Sequence, residues 1–379
     1  MPSETLGAWL PDHQLHVVAT LAHVDGLIWN IGSALFDYVS GEGPLEFENV
    51  ADGSQAHVTV KAVAPLPEVI PRYVADTLTQ MRATIEHALY AEVKHELGRP
   101  LEEREARGIE MPALTSVAEF DRWLARSGRP KLTPLRRGTP LVRRMDDLQP
   151  YHRREADKHP LRVLAQHTNW VKHRTPVVAA TRIGTVIPDR AHPELAIHDW
   201  DQDRPLRQGD TLASGPASLR VPLSIVPTVS VRRPHTGTWH VLMHELRYLE
   251  EWVRTVAIPH LVIGTRDLGA LPPQLDIVTG HSDLRAALHT AGQVPAAIRA
   301  ERRLQAVIAR EGLAKTLALH PRRVDGGTIT AWAHSLDDDE VLDHHDRMSN
   351  ASAIGGLRAI ADYTSRLLDE VLEYARQRP

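Results

Sequence analysis

The sequence predicts an α+β protein: a helical core with a β-hairpin and an antiparallel β segment, followed by an all-α C-terminal part. Three observations carry this. Over 13–39 and 72–97, apolar residues recur mostly at three-, four- and seven-residue steps, the period of an amphipathic helix. Over 177–233, β-branched runs alternate with Gly-Asp and Pro-Gly turns, the texture of a sheet. Beyond Gly264–Gln274, which holds Gly269 and the Pro272-Pro273 pair, nearly every stretch returns to a helical period.

In chain order, helix 13–39 takes Asp12 as N-cap and buries Leu15, Val18, Leu21, Ile28 and Leu35. Leu45-Glu46-Phe47-Glu48 and Val58-Thr59-Val60-Lys61 alternate apolar and polar around the turn signal Asp52-Gly53, so a hairpin follows. Pro65, Pro67 and Pro71 break the chain before helix 72–97, whose stripe is Val74, Leu78, Met81, Ile85, Leu89 and Val93 and whose stop is Gly98-Arg99-Pro100. A helix over 160–174 begins on Pro160, a favoured first-turn residue. The β segment 177–233 is interrupted by Pro222 and Pro227, and helix 240–258 ends at Pro259. The Pro272-Pro273 break divides the chain into domains 1–263 and 264–379. In the second, helices are expected over 283–290 with Ser282 as cap, 295–319 and 352–376; Asp325-Gly326-Gly327 and Asp337–Glu340 read as solvated connections.

With 379 residues, 42% apolar and 24% charged, the chain has ordinary globular composition. It contains no cysteine, which excludes disulfides, thiolate nucleophiles and Cys-ligated zinc and fits a reducing cytoplasm. No basic stretch followed by an apolar one opens the sequence, so no signal peptide is expected. The most apolar span, Thr20–Val39, carries His23, Asp25, Asn30 and Asp37, and no membrane association is expected. Charge is uneven along the chain. Met1–Val60 has no Lys or Arg, whereas Arg122–Arg174 has an excess of roughly ten positive charges. Two readings stand: the acidic and basic segments face each other, or the basic one is a phosphate-binding surface.

Four marks occur in order: Arg82-Ala83-Thr84-Ile85-Glu86-His87, Glu110-Met111-Pro112, Leu148-Gln149-Pro150-Tyr151, and Asn169-Trp170-Val171-Lys172-His173-Arg174. Together they resemble a widespread group of uncharacterised bacterial proteins, over about residues 12–262, and Pro205-Leu206-Arg207-Gln208-Gly209-Asp210 fits its β part. Val171 stands where that group has Asp, and Met111-Pro112-Ala113 replaces its Phe-Pro-Ile. The resemblance implies an architecture more than an activity. Separately, the Arg82-x4-His87 spacing is similar to the signature of HEPN domains, helical bundles that in many toxin and phage-defence proteins cut RNA without metal. It implies a metal-independent endoribonuclease in which Arg82 stabilises phosphate charge and His87 transfers a proton. Asn169, Lys172, His173 and Arg174, with Arg136, Arg137, Arg143 and Arg144, would hold the RNA. No cofactor is expected.

As a string, Arg-x4-His carries little information, because Arg154/His159 and Arg162/His167 match it too. Geometry is the better test. Residues five apart on a helix are rotated by about 140°, so Arg82 and His87 are not expected to face one site within a single subunit. Catalysis through them would require a homodimer. The alternative is a non-catalytic scaffold or partner-binding protein, in which Arg82 pairs with Glu86 four residues on and the marks form a structural polar network. A last cluster, Asp343-His344-His345-Asp346, has metal-ligating residue types. It reads as a hydrated acidic turn, and no metal site is expected. The Arg and Lys residues of 299–323 are diluted by Glu301 and Glu311 and read as a solvated face.

Overall fold

The computed structural model describes residues 7–40, 43–126, 131–174, 177–199, 201, 203–265 and 268–377, apart from the side chains of 352–355 and 357. The chain forms two compact units, Met1–Ala297 and Ile298–Pro379.

The first unit is built on two long helices joined by a hairpin. Helix α1 (His16–Val39) and helix α2 (Val69–Leu97) flank strands β1 (Leu45–Asp52) and β2 (Gln55–Val63). Gly53, with φ of 58°, makes the tight turn between the strands. Because the hairpin reverses the chain, α1 and α2 run antiparallel, and Val17, Leu21, Val24 and Ile28 bury against the Leu78-Met81-Ile85-Leu89 stripe. Each such fully buried side chain stabilises by roughly 1.5–3 kcal/mol.

The short helices α3 (Glu103–Ala106), α4 (Val117–Leu124) and α5 (Pro140–Asp147) follow, then α6 (Pro160–His173), which packs on α2. Pro160 opens α6 as expected, and the His159 side chain caps it by accepting from the Leu161 amide. The antiparallel strands separate into two small sheets. Strands β3 (Ala179–Pro188), β4 (Ala196–Ile197), β5 (Thr211–Pro216), β6 (Leu223–Arg232) and β7 (Trp239–Val241) give the orders β1-β2-β5-β4 and β3-β6-β7. Pro227 sits inside β6 and does not end it. Opposite it the register of β3 slips between Ile183 and Thr185, and a Cβ on Gly184 would lie 2.6 Å from Thr228 Cγ2. The bulge absorbs the missing N–H. The turn at Arg207–Asp210 is closed by Asp210, which accepts two hydrogen bonds from Arg204 at 2.7 and 2.9 Å and one from the Arg207 amide at 2.8 Å.

The expected helix 240–258 is longer and starts later. Residues 239–241 are strand β7, and α7 (Leu242–Trp252) runs through a π-turn (Val253–Ala257) into α8 (Ile258–Ile263). Widening the helix places Pro259 in the first turn of a new segment, where its missing N–H costs little.

The break at Gly264–Gln274 does not end this unit. Leu271, Leu275 and Leu288 enter its core, helix α9 (Leu284–Thr290) belongs to it, and buried Asp25 accepts from the Ala296 amide at 2.6 Å. The division falls at Ala297 because apolar burial, not the proline pair, decides it. Asp283, rather than Ser282, caps α9.

The second unit is helical, as expected. It takes in most of α10 (Ala296–Ala318), then α11 (Gly326–Ser335) and the helical stretch α12 (Asp338–Gln377), which is broken at Gly356. Leu313, Leu317, Trp332, Leu367, Leu368 and Val371 form its core. Both stretches read as connections start helices. Asp325 caps α11 through the Thr328 amide, and Asp337 and Glu340 bond each other's amides at 2.8 Å in a capping box. Asp343–Asp346 is likewise helical. His344 Nδ1 lies 2.9 Å from the Tyr363 hydroxyl and Arg347 pairs with Asp343. Among the described residues no group of three His or carboxylates could hold a metal, and no helix is long and apolar enough to cross a membrane.

Candidate functional site

Three of the four marks meet at one cleft of about 440 Å³ in the first unit. One wall is α2, through Thr79, Arg82, Ala83, Glu86 and His87; the other is α6, through Arg162, Ala165, Gln166, Asn169 and Lys172. Both sets follow helical spacing and lie beside the apolar stripes that bury the two helices. The segment Glu110–Leu114, Trp123, Arg126 and Thr168 complete the lining.

Arg82 and Glu86 hold that segment in place. Arg82 Nη2 donates to the Met111 carbonyl, and Glu86 accepts from the Met111 amide at 2.7 Å. The other Glu86 oxygen lies 2.5 Å from Arg82 Nη2. One i,i+4 pair therefore satisfies both backbone groups of a residue that lies outside regular structure while its side chain is buried. Three residues on, the Leu114 amide donates to buried Gln149, which donates in turn to the Met145 carbonyl at 2.9 Å. The Arg82/Glu86, Met111 and Gln149 marks thus fasten α2, the cleft wall and the end of α5 to one another.

The fastening engages Arg82 Nη2 with Glu86 and Met111, and its Nη1 is buried with no hydrogen-bond partner. His87, by contrast, is exposed at the rim, its ring centroid 6.4 Å from that of His16. The expectation that the two residues would not reach one site within a subunit is corrected. The cleft runs along two turns of α2, far enough to include both. A second protomer is not needed to bring them together.

The other candidates divide. Asn169 and Lys172 line the cleft. His173, the exposed last residue of α6, does not, and Arg174 lies over the Trp170 ring at 4.5 Å. Arg136, Arg137, Arg143 and Arg144 are also outside it. Arg137 pairs with Asp121, and Arg144 turns inward to the Val262 carbonyl and to Glu96 at 3.2 Å, because α5 buries Leu141, Val142 and Met145. Arg126, Arg162 and Gln166 are cleft residues that the sequence marks missed. The spacing 162, 166, 169 was the available signal on α6; none pointed to Arg126.

The cleft has a cationic excess. Arg82, Arg126, Arg162 and Lys172 stand against Glu86 and Glu110; Arg82 and Glu86 cancel, and Glu110, which accepts from the Trp123 indole at 3.2 Å, offsets one of the remaining three cations. Arg162 lies 3.6 Å from Asp157, and among the described residues neither Arg126 nor Lys172 forms an ion pair. Anions with hydrogen-bonding groups are what such a lining accommodates.

No protein-family model, curated protein or solved structure matches this chain.

The clamp makes a stability prediction. Arg82→Ala is expected to destabilise the first unit by about 1.5 kcal/mol, the low end for a charged hydrogen bond because Glu86 stays partly hydrated. The urea midpoint reads this. Arg82→Lys should recover little of it, since an ammonium cannot reach carbonyl and carboxylate in the same planar fork.

Proposed function

We propose that this chain binds single-stranded RNA in the cleft between α2 and α6. The observation that carries the reading is the convergence of Arg126, Arg162 and Lys172 with the amides of Gln166 and Asn169 around one polar recess. The cations meet phosphate and the amides meet base edges or ribose hydroxyls. At about 440 Å³ the recess has the volume of a nucleotide-sized ligand, too small for a duplex. The assignment is binding rather than cleavage, because Arg82 is committed to Glu86 and Met111. His87 is the one imidazole of the cleft, and strand scission would require the clamp to open.

Fluorescence anisotropy with a labelled oligouridylate tests this. Arg126→Ala and Lys172→Ala are each expected to weaken binding about three- to tenfold at about 50 mM salt, and each to lower the salt slope by about one. Absence of saturable binding at low salt, or variants that bind like the parent, overturns it.

The Arg82–Glu86–Met111 clamp favours a second reading, a non-catalytic scaffold whose polar marks serve the fold alone. Under it the cleft variants change neither RNA binding nor stability, while Arg82→Ala changes only stability.

A further inference from the structure

We propose that the RNA path continues over His87 into a second recess lined by four histidines, where the entering phosphate is held by imidazoles that take up protons. This rests on the RNA reading above and adds to it a binding surface with a chemical signature.

His87 lines two recesses at once. Beyond it, between the start of α1 and the C-terminal half of α2, lies a groove of about 690 Å³ walled by His13, His16, His87 and His95, with Lys94 and Arg99 at its edge. The antiparallel α1–α2 pairing makes this cluster. It sets His16 beside His87 and stacks the ring of His13 on that of His95, with centroids 4.0 Å apart and planes within 6°.

The carboxylates nearby are already taken. Glu92 is buried and holds His13 at 2.7 Å and Gln14 at 2.8 Å. Glu105 holds Arg99 through two hydrogen bonds, and Glu96 pairs with Arg144. Tyr90 contributes a hydroxyl. Lys94 brings its ammonium to the same groove as the imidazoles of His16, His87 and His95. Without an anion these charges repel each other: burial, and then His87, hold the His16 pKa below its usual value. A phosphate between them reverses the sign of that interaction, so binding and protonation support each other. Only a polyanion long enough to cross His87 engages both recesses, which is why the ligand is the strand already placed in the cleft.

The test is the affinity for an oligouridylate, whose bases do not titrate in this range, at about pH 7.5 and about pH 5.5 and constant ionic strength. Affinity is expected to rise about tenfold on acidification. The double variant His16→Gln/His95→Gln, altered outside the cleft, is expected to gain less than about twofold over the same change of pH. Circular dichroism at both pH values checks that it is folded. A pH-independent parent, or an undiminished rise in the double variant, overturns the inference and leaves the RNA reading standing. No binding at either pH removes both.

Discussion

Acidification from pH 6.5 toward pH 3 is expected to cost the first unit on the order of 5 kcal/mol through His167 alone. This side chain is 2% exposed, with Nε2 buried and unpartnered. Burial, and then the positive charges of His235, Arg233 and His240, push its pKa down to about 3 from the ordinary 6.5. The unfolded chain takes up a proton there near pH 6.5, whereas the folded chain does not until about pH 3. Between those values the unfolded state binds more protons, and stability falls by about 1.4 kcal/mol per pH unit. Above pH 6.5 the contribution is fully present; below pH 3 both states are protonated and the loss stops. Carboxylates elsewhere add their own slope, so the diagnostic quantity is a difference. Urea midpoints measured at pH 7, 5 and 4 should fall more steeply for the parent than for His167→Gln, which cannot charge. Parallel curves would refute the assignment.

How much of this was legible in the sequence depended on what positions each residue. The α1 and α2 stripes were readable because each helix buries one continuous face, and Pro160 marked the start of α6 for a local stereochemical reason. Elements set by competition between local and tertiary effects were misplaced. Pro259 looked like a stop until the π-turn accommodated it, and Pro272-Pro273 looked like a boundary although Leu271 and Leu275 flank it inside the core. The glycines of Asp325-Gly326-Gly327 hid a helix start whose cap is the aspartate itself. The cleft was half legible. Its α2 and α6 walls follow helical spacing, but Arg126 comes from the end of α4, beyond an irregular segment that Glu86 and Gln149 hold at Met111 and Leu114. No periodicity encodes that placement. The marks themselves were visible, yet Arg82 could not be assigned from spacing, since catalysis and clamping call for the same guanidinium and differ only in what it touches.

The same buried layer that contains His167 yields the largest expected mutational effect. Arg233→Ala should destabilise the first unit by about 3–5 kcal/mol. Arg233 Nε and Nη2 each donate to Glu245 at 2.7 Å, and the two side chains are 5% and 4% exposed. The pair joins the end of the β3-β6-β7 sheet to α7. Truncating the arginine leaves a carboxylate buried with only His240, 3.8 Å away, to compensate it. In a unit of this size the loss corresponds to a fall in Tm of about 10 °C. The cost comes from the stranded charge rather than from any large net worth of the pair, so Arg233→Met/Glu245→Met is expected to recover most of it. A double variant as unstable as Arg233→Ala would show instead that the bidentate geometry itself holds strand and helix together. The substitution also removes one of the charges that keep His167 neutral, so in Arg233→Ala the His167 pKa should rise and the acid-dependent loss should shrink. Midpoints for Arg233→Ala, His167→Gln and their combination at pH 7 and pH 4 would measure that coupling directly: additive losses at pH 4 would mean that the arginine does not act on the imidazole, and a combined loss larger than the sum that it does, because the relief Arg233→Ala gives is absent once the imidazole is gone.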